Sequence, residues 1–307
     1  MAEAPVFDTV AIVGLGLIGS SIARAARVFG AARRIVALDA SPQALARVRE
    51  LGIADEASGD YETLRSADFV VFCVPVGASG AVACDIAPYL KPGAIVSDVG
   101  SVKGAVVAQA APHLPAGVHF IPAHPIAGTE FSGPDAGFAT LFENRWCILT
   151  PPDGADDAAL GRLVAFWRRI GARVEVMSAE HHDRVLTLTS HLPHLIAYTI
   201  VGTADDFGDE TRSEVIKFSA SGFRDFTRIA ASDPTMWRDI FLHNRDAVLE
   251  MLARFNADLA SLQGMIEKGD GDGLFEFFTR TRAIRRSIVE QGQDTAAADF
   301  GRGGDKA

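Results

Sequence analysis

Thr9-Val-Ala-Ile-Val-Gly14-Leu-Gly16-Leu17-Ile18-Gly19-Ser-Ser-Ile22 runs from a mostly β-branched strand through Gly-x-Gly-x-x-Gly into a helix-forming run. Gly14 permits the tight turn out of the strand. Gly16 removes the Cβ that would block a pyrophosphate, and Gly19 lets the helix lie close on the sheet. The helix opening at Leu17 and Ile18 offers free N–H groups and the positive end of its dipole to that phosphate. A glycine turn without a ligand gives the same string, so the neighbouring sequence has to decide. Arg34-Ile-Val-Ala-Leu-Asp39 is a second strand-like run whose closing acid lies 20 residues beyond Gly19. That is where a dinucleotide fold places the acid that binds the adenosine ribose hydroxyls. Strand, glycine turn, helix, strand and acid in that order predict an NAD site. Asp39 repels a 2′-phosphate, which favours NAD over NADP, and Arg33 and Arg34 stand too early in the strand to reverse that.

Working outward, strand and helix alternate as far as about residue 177. Ser41-Pro42 starts a helix with a serine cap and proline at the first position. Asp68-Phe-Val-Val-Phe-Cys-Val74-Pro75 and Ala94-Ile-Val-Ser-Asp98 are continuous apolar runs, as expected of parallel strands buried on both faces. Val118-His-Phe-Ile-Pro-Ala is a further strand ending at His124-Pro125, and Trp146–Thr150 and Arg173–Met177 are expected to complete the same sheet. Ligands of an open parallel sheet bind outside the carboxyl ends of its strands. Gly14, Asp39, Pro75 with Val74 before it, Ser101 and His124 are therefore expected in one crevice.

From Ser178 the pattern is helical. Glu180–Phe207 reads as one helix kinked at Pro193. A second long helix is expected from the Asp233-Pro234 cap to about Lys268-Gly269, and a last one from Gly273 to about Gln291. The apolar arc of the long helix (Ile240, Ala247, Met251, Phe255, Leu259, with Phe241, Val248 and Leu252 beside it) is wide enough for burial on two sides. A partner copy is a reasonable source of the second surface. Arg280, Arg282, Arg285 and Arg286 read as a solvated face. The fold class is thus α/β: a Rossmann-type parallel sheet domain over residues 1–177, an all-α helical substrate and dimerisation domain over 178–292, and a disordered tail over 293–307.

Composition narrows the partners. A formal charge of −10 argues against nucleic acid and anionic membranes, while a small anionic ligand needs only local cations. Cys73, Cys84 and Cys147 show no metal-ligand spacing, and no metal is expected. No signal peptide is visible, and the apolar stretch from Val185 to Val201 is broken by histidines, Ser190 and Pro193. These features make a cytoplasmic, reduced protein the expectation.

His124 lies in Pro122-Ala-His124-Pro-Ile-Ala-Gly128-Thr129-Glu130, on a rigid loop at the crevice. Beside a nicotinamide, it suits a general base that takes a hydroxyl proton as the carbon gives up hydride; alternatively it satisfies loop carbonyls. An unperturbed imidazole would set the acid limb of kcat/KM at about pH 6.5. Ser101 either bonds the same hydroxyl or caps a helix. Lys103 is read as an anion contact or a surface residue. His191 and His194 straddle Pro193 without a third zinc ligand. Arg224 and Arg228, in a short polar loop before Asp233, either clamp a carboxylate or face solvent.

Taken together, Gly-Leu-Gly-Leu-Ile-Gly-Ser, Asp98-Val-Gly-Ser101-Val-Lys, His124-Pro-Ile-Ala-Gly-Thr-Glu, Ser190-His-Leu-Pro-His194 and Asp225-Phe-Thr-Arg228…Ser232-Asp-Pro-Thr-Met-Trp237 resemble the prephenate/arogenate dehydrogenase family, in its order over roughly residues 9–240. The resemblance implies NAD-dependent oxidative decarboxylation of a small anionic cyclohexadienyl substrate, prephenate and/or arogenate, in tyrosine biosynthesis. It implies His124 as the base for the ring 4-hydroxyl, with Ser101 bonding that hydroxyl and the cofactor side. Arg228 would hold the ring carboxylate, and Thr129, Glu130, His194, Arg224, Asp225 and Trp237 would line or order the pocket. Arg224 stands where relatives often carry lysine. The family is also dimeric through its helical domain. Two other readings remain: another two-domain NAD-dependent hydroxyacid dehydrogenase, which would be expected to use a lysine base in the helical domain, and a non-enzymatic NAD-binding sensor.

Overall fold

The computed structural model describes residues 4–129, 131–206, 217 and 221–290. Strand β1 (Phe7–Val13) forms as its sequence dictates. Val10 and Ile12 enter one buried apolar layer, Ala11 and Val13 the other, so both faces of the strand are covered. Around it, β2 (Ala32–Leu38), β3 (Glu56–Ser58), β4 (Phe69–Phe72), β5 (Ile95–Asp98) and β6 (His119–Phe120) build a six-stranded sheet in the order β3-β2-β1-β4-β5-β6. Every pairing in it is parallel. The order reverses direction between β1 and β4, which puts the ligand crevice above their carboxyl ends. Helices α1 (Leu17–Val28), α2 (Pro42–Leu51), α3 (Ser79–Ile86) and α4 (Lys103–Ala110) alternate with the strands. Ser41 caps α2, accepting from the Ala44 N–H at 3.2 Å, and Gly52 ends that helix at φ +61°.

Two strands expected in this sheet lie elsewhere. β8 (Trp146–Leu149) and β9 (Arg173–Val176) pair with each other in parallel, and β7 (Ala123–Pro125) runs antiparallel to β8, making a separate three-stranded sheet. Pro122 is the physical cause. Ile121 N–H still donates to Val96 O at 2.9 Å, but Pro122 has no N–H with which to continue that ladder, and its carbonyl accepts from Thr150 N–H at 2.9 Å instead. His124 therefore sits within a strand, opposite Ile148. Helix α5 (Asp157–Arg169) packs Phe166 and Trp167 into the first core layer.

The expected kinked helix divides into α6 (Ala179–Leu186), a π-helical turn over Thr187–His191 and α7 (Leu192–Asp205). Pro193 offers no N–H to the Thr189 carbonyl, so the ladder widens just ahead of it. The end of that helix at Phe207 lies outside the described residues. Taken as one run, Ala179–Asp205 is long and apolar enough to cross a membrane. His182, Asp183, Thr187 and His191 along it are buried in the protein. The polar loop expected at Gly222–Arg228 is instead the short helix Ser221–Thr227 followed by a 3₁₀ turn, Arg228–Ala231, because no glycine or proline follows Gly222 to break it.

The expected second long helix is two helices, Pro234–His243 and Arg245–Lys268, broken at Asn244. The Asn244 carboxamide donates to Asp183 O at 3.1 Å and to Thr187 Oγ1 at 2.8 Å, which draws its backbone out of helical geometry. A last helix spans Gly271–Glu290. The first compact unit runs through Leu249 and the second begins at Glu250. In the second, Leu259, Ile266, Phe275, Phe278 and Ile284 are exposed on the single chain, and the arginines from Arg280 to Arg286 are exposed as well.

A Cβ on Gly19 would stand 1.9 Å from the Gly14 carbonyl oxygen, whereas one on Gly16 would meet no atom within 4 Å. Gly19→Ala is expected to destabilise the cofactor-free protein by roughly 1–3 kcal/mol, the cost of an overpacked contact. Gly16→Ala should leave its thermal midpoint unchanged. Paired thermal unfolding curves of the two variants check this, and equal midpoints would refute it.

Candidate active site

Three strand ends shape a cleft of about 390 Å³ at the switch point, lined by Gly14 and Gly16 from the β1 turn, Asp39 from β2, and Val74 and Pro75 after β4. Gly14 must be glycine on two counts, its φ of +97° and the Cys73 carbonyl oxygen 2.5 Å from where a Cβ would be. Gly16 caps α1 without any side-chain hydrogen bond, so the first amides of the helix remain available to a phosphate. Asp39 is held by two backbone amides, accepting from Leu15 N–H at 2.7 Å and Ser41 N–H at 2.8 Å. Arg33 and Arg34 pair with Asp8 and Glu56 and leave Asp39 unopposed. These residues fit a dinucleotide with free ribose hydroxyls. Leu17, Ile18 and Gly19 form the first turn of α1 behind the cleft wall; Tyr61, absent from the sequence reading, lines the cleft.

Ser101 and His124 stand outside that lining, Ser101 after β5, the strand next to β4, and His124 in β7 of the second sheet. The link is Lys103, a residue with no accessible surface. Its ammonium pairs with Asp98 at the end of β5 and donates to the Ala123 carbonyl at 2.6 Å, binding β5 to β7 and so fixing His124. Burial lowers the lysine pKa, opposed by Asp98 and Asp183. Neither reading of Lys103 from sequence holds: it is a buried strut.

Nδ1 of the half-buried His124 lies 2.8 Å from Nε2 of His182, and Nδ1 of His182 lies 2.8 Å from Oδ1 of Asp183. The Asp183 carboxylate also accepts from the backbone N–H groups of Lys103 at 2.7 Å and Gly104 at 2.8 Å. Asp183 thus satisfies the N-terminus of α4 from 80 residues away. Ser101 does not: the cap position is Val102, with no side-chain bond. Burial pushes His124 well below the ordinary imidazole pKa, with the His182, Lys103 and His191 charges adding to it. Burial also lowers His182, against the pull of Asp183.

A second group gathers on the helical segments. The His194 ring stacks on Trp237 with centroids 3.7 Å apart and its Nδ1 lies 2.8 Å from Ser190 O. Burial lowers its pKa, and the Arg228 charge lies close enough to lower it further. His191 is fully buried with Nδ1 held 3.2 Å from the Asn244 carboxamide nitrogen, and burial brings its pKa down to about 4. His191 Nε2 and Trp237 Nε1 are buried without a protein partner. His191 and His194 thus serve different partners rather than one metal. Arg224, Arg228 and Thr129 are exposed and Asp225 is half-buried. Glu130 lies outside the described residues.

The sequence reading missed His182, Asp183 and Asn244. The run Glu180-His181-His182-Asp183 carried the signal, two histidines and an acid at a helix start, but neighbouring positions on a helix do not normally face each other.

Comparison with known proteins covers both parts of the chain. Residues 22–176 match the family model "Prephenate dehydrogenase, nucleotide-binding domain", and residues 178–280 match "Prephenate dehydrogenase, dimerization domain". A cyclohexadienyl dehydrogenase of Zymomonas mobilis is 44% identical, over 92% of this chain and 97% of that protein. A prephenate dehydrogenase of Bacillus subtilis is 34% identical, over 92% and 76% respectively. Among solved structures, prephenate dehydrogenase from A. aeolicus in complex with hydroxyphenyl propionate and NAD+ superposes with a TM-score of 0.86 at 36% identity, covering 92% of this chain and 98% of that one. Synechocystis arogenate dehydrogenase gives 0.79 at 27% identity, covering 91% and 99%.

The buried neutral histidines set an acid limit on stability. Unfolding returns His191 to an ordinary value near 6.5 from about 4 in the folded protein. Above pH 6.5 both states are neutral and stability is flat. Between 6.5 and 4 the unfolded chain alone takes up the proton, so His191 removes about 3 kcal/mol across that window. Denaturant midpoints measured from pH 7 to pH 4 should fall steadily; a flat profile would refute the buried assignment.

Proposed function

Because the chain belongs to the prephenate dehydrogenase family, we propose that its cleft oxidises and decarboxylates prephenate and/or arogenate with NAD, in tyrosine biosynthesis. It is an NAD-dependent oxidoreductase, and bound NAD supplies the hydride acceptor. The placement of His124 carries this reading. Its strand is tied through the Ala123 N–H to Asp98 at the end of β5, the neighbour of the cleft-forming β4, and because His182 already engages Nδ1, Nε2 is the atom left for chemistry.

His124 Nε2 takes the proton of the ring 4-hydroxyl as hydride leaves C4. Carbon dioxide departs from C1, its bonding electrons pass through the ring to the C4 oxygen, the ring becomes aromatic, and the phenolate oxygen takes back the proton held on His124. The products are 4-hydroxyphenylpyruvate from prephenate or tyrosine from arogenate. Ser101, in the bend ahead of α4, is the proposed second contact of that hydroxyl. Arg228 is proposed to hold the ring carboxylate, with His194, Trp237, Arg224, Asp225, Thr129 and Glu130 ordering the pocket. The buried donors His191 Nε2 and Trp237 Nε1 support an anionic, oxygen-rich substrate there, since a buried donor without a partner is costly. Gly14, Gly16, Leu17, Ile18, Gly19, Asp39, Val74, Pro75 and Ser101 are proposed to hold the cofactor.

We assign residues 1–177 to the dinucleotide-binding part and 178–292 to the helical substrate and dimerisation part. The exposed apolar side chains Leu259, Ile266, Phe275, Phe278 and Ile284 support a homodimer through that part, and the metabolic role supports a cytoplasmic enzyme.

Incubation with NAD and either prephenate or arogenate should produce NADH; failure with both overturns the assignment. His124→Asn should lower kcat by roughly 10²–10⁴-fold, the range for a lost general base, and leave NAD affinity intact. Its depressed pKa favours the proton-accepting form, so kcat/KM of the native enzyme should stay level through pH 6.5 and fall only well below it. A limb at or above 6.5 would refute the burial argument.

A further inference from the structure

With His182 neutral, as its burial favours, the hydrogen-bonded chain from His124 to Asp183 has one consistent proton arrangement. Asp183 Oδ1 receives Lys103 N–H and Oδ2 receives Gly104 N–H, so both oxygens already act as acceptors from backbone. Nδ1 of His182, 2.8 Å from Oδ1, must then carry a proton and donate it. A neutral His182 protonated on Nδ1 presents a bare Nε2. Nδ1 of His124, 2.8 Å from that nitrogen, must therefore be the donor. This leaves the lone pair of His124 on Nε2, the atom not engaged by protein.

The charges nearest His124, on His182, Lys103 and His191, all disfavour a proton there, while Asp183 and Asp98 act on His182 in the opposite sense. Burial keeps His124 neutral before reaction, and the chain receives the positive charge when it forms.

Resting on the reading of His124 as the base, we infer that His182 and Asp183 are positioning residues that set its tautomer and stabilise its protonated form. The transferred proton is held on His124 Nε2 until decarboxylation leaves a phenolate oxygen, and it then returns to that oxygen. Asp183 accepts none of it, since its oxygens remain committed to the α4 amides. Nδ1–H of His124 donates to His182 throughout.

Selective ¹⁵N-histidine NMR of the native enzyme with NAD, with the His124 signals identified by their loss in His124→Asn, tests the tautomer directly. Expected is a proton-bearing Nδ1 and a bare Nε2; a proton on Nε2 overturns the inference. Kinetics give a second reading. Asp183→Asn and His182→Leu should each lower kcat by up to roughly 10⁴-fold, the loss that follows removal of a triad's orienting member, with KM little changed and the acid limb displaced. His182→Gln, which returns an acceptor where Nε2 stood, should recover part of the loss. Should Asp183→Asn fail to fold, the two His182 variants and the native spectrum still decide. Unchanged kcat and pH profile in those variants, alongside an inactive His124→Asn, sinks the relay alone. An active His124→Asn sinks the base assignment itself.

Discussion

The hydrogen bonds from the Lys103 and Gly104 amides to Asp183 are the constraint from which the chemical half of the site follows. A helix start leaves amides unsatisfied, and a buried one needs acceptors. Here the acceptor comes from α6 rather than from the preceding loop. The tie brings α6 down onto the carboxyl end of the parallel sheet, delivers His182 to His124, and frees Ser101 from capping. A charge-assisted bond at a helix N-terminus is among the stronger neutral-to-ion contacts available, and this one is doubled. The Asn244 carboxamide adds a second tie to the same segment by meeting Asp183 O, Thr187 Oγ1 and His191 Nδ1.

Beneath that tie lies the Asp98–Lys103 pair. A buried ion pair is weak evidence for stability, because desolvation of both charges offsets their attraction. Its geometric role is more informative. The ammonium meets the end of β5 and the carbonyl of Ala123 in β7, which belong to different sheets. A neutral apolar side chain could fill the space, yet it would leave the Ala123 carbonyl and the Asp98 carboxylate without that donor. An interior charge thus holds the strand that carries His124, the proposed base.

The cofactor half of this arrangement was legible in sequence because local backbone needs create it. Gly14 must have positive φ, Gly19 must lack a Cβ, and Asp39 must end a strand; each requirement shows as a residue type at a spacing. The six-stranded sheet was legible for the same reason, through runs with no polar face. The separate sheet of β7, β8 and β9 was not, although Pro122 held the clue, since a missing N–H shows where a ladder stops but not where the strand goes next. Lys103 looked like a surface residue because nothing within its own segment supplies the acceptors it uses. Asp183, at the edge of a histidine pair, looked like an ordinary polar residue in the first turns of a helix. His124 and Ser101 were proposed from their strand-end positions, while the contacts that hold this region, His124 to His182 and Lys103 to Asp183, span 58 and 80 residues and leave no local pattern.

The two halves also differ in what burial does to them. In the cleft, polar groups such as Asp39 are fully bonded to backbone and only partly covered, so the surface there is prepared whether or not a dinucleotide is present. Around His124, His191 and Trp237 the donors and acceptors are covered more deeply, and two donors have no protein partner. The same burial that depresses His124 and His191 keeps both neutral near pH 7, which suits a proton acceptor and a hydrogen-bond donor to an anion. Discrimination follows: a site whose buried donors are left unmatched rejects a substrate analogue lacking the corresponding oxygens far more strongly than an apolar pocket rejects a missing methylene. Under the proposed function, selectivity for the oxygens of the ring substituents would fall to the helical segments and selectivity for the dinucleotide to the sheet.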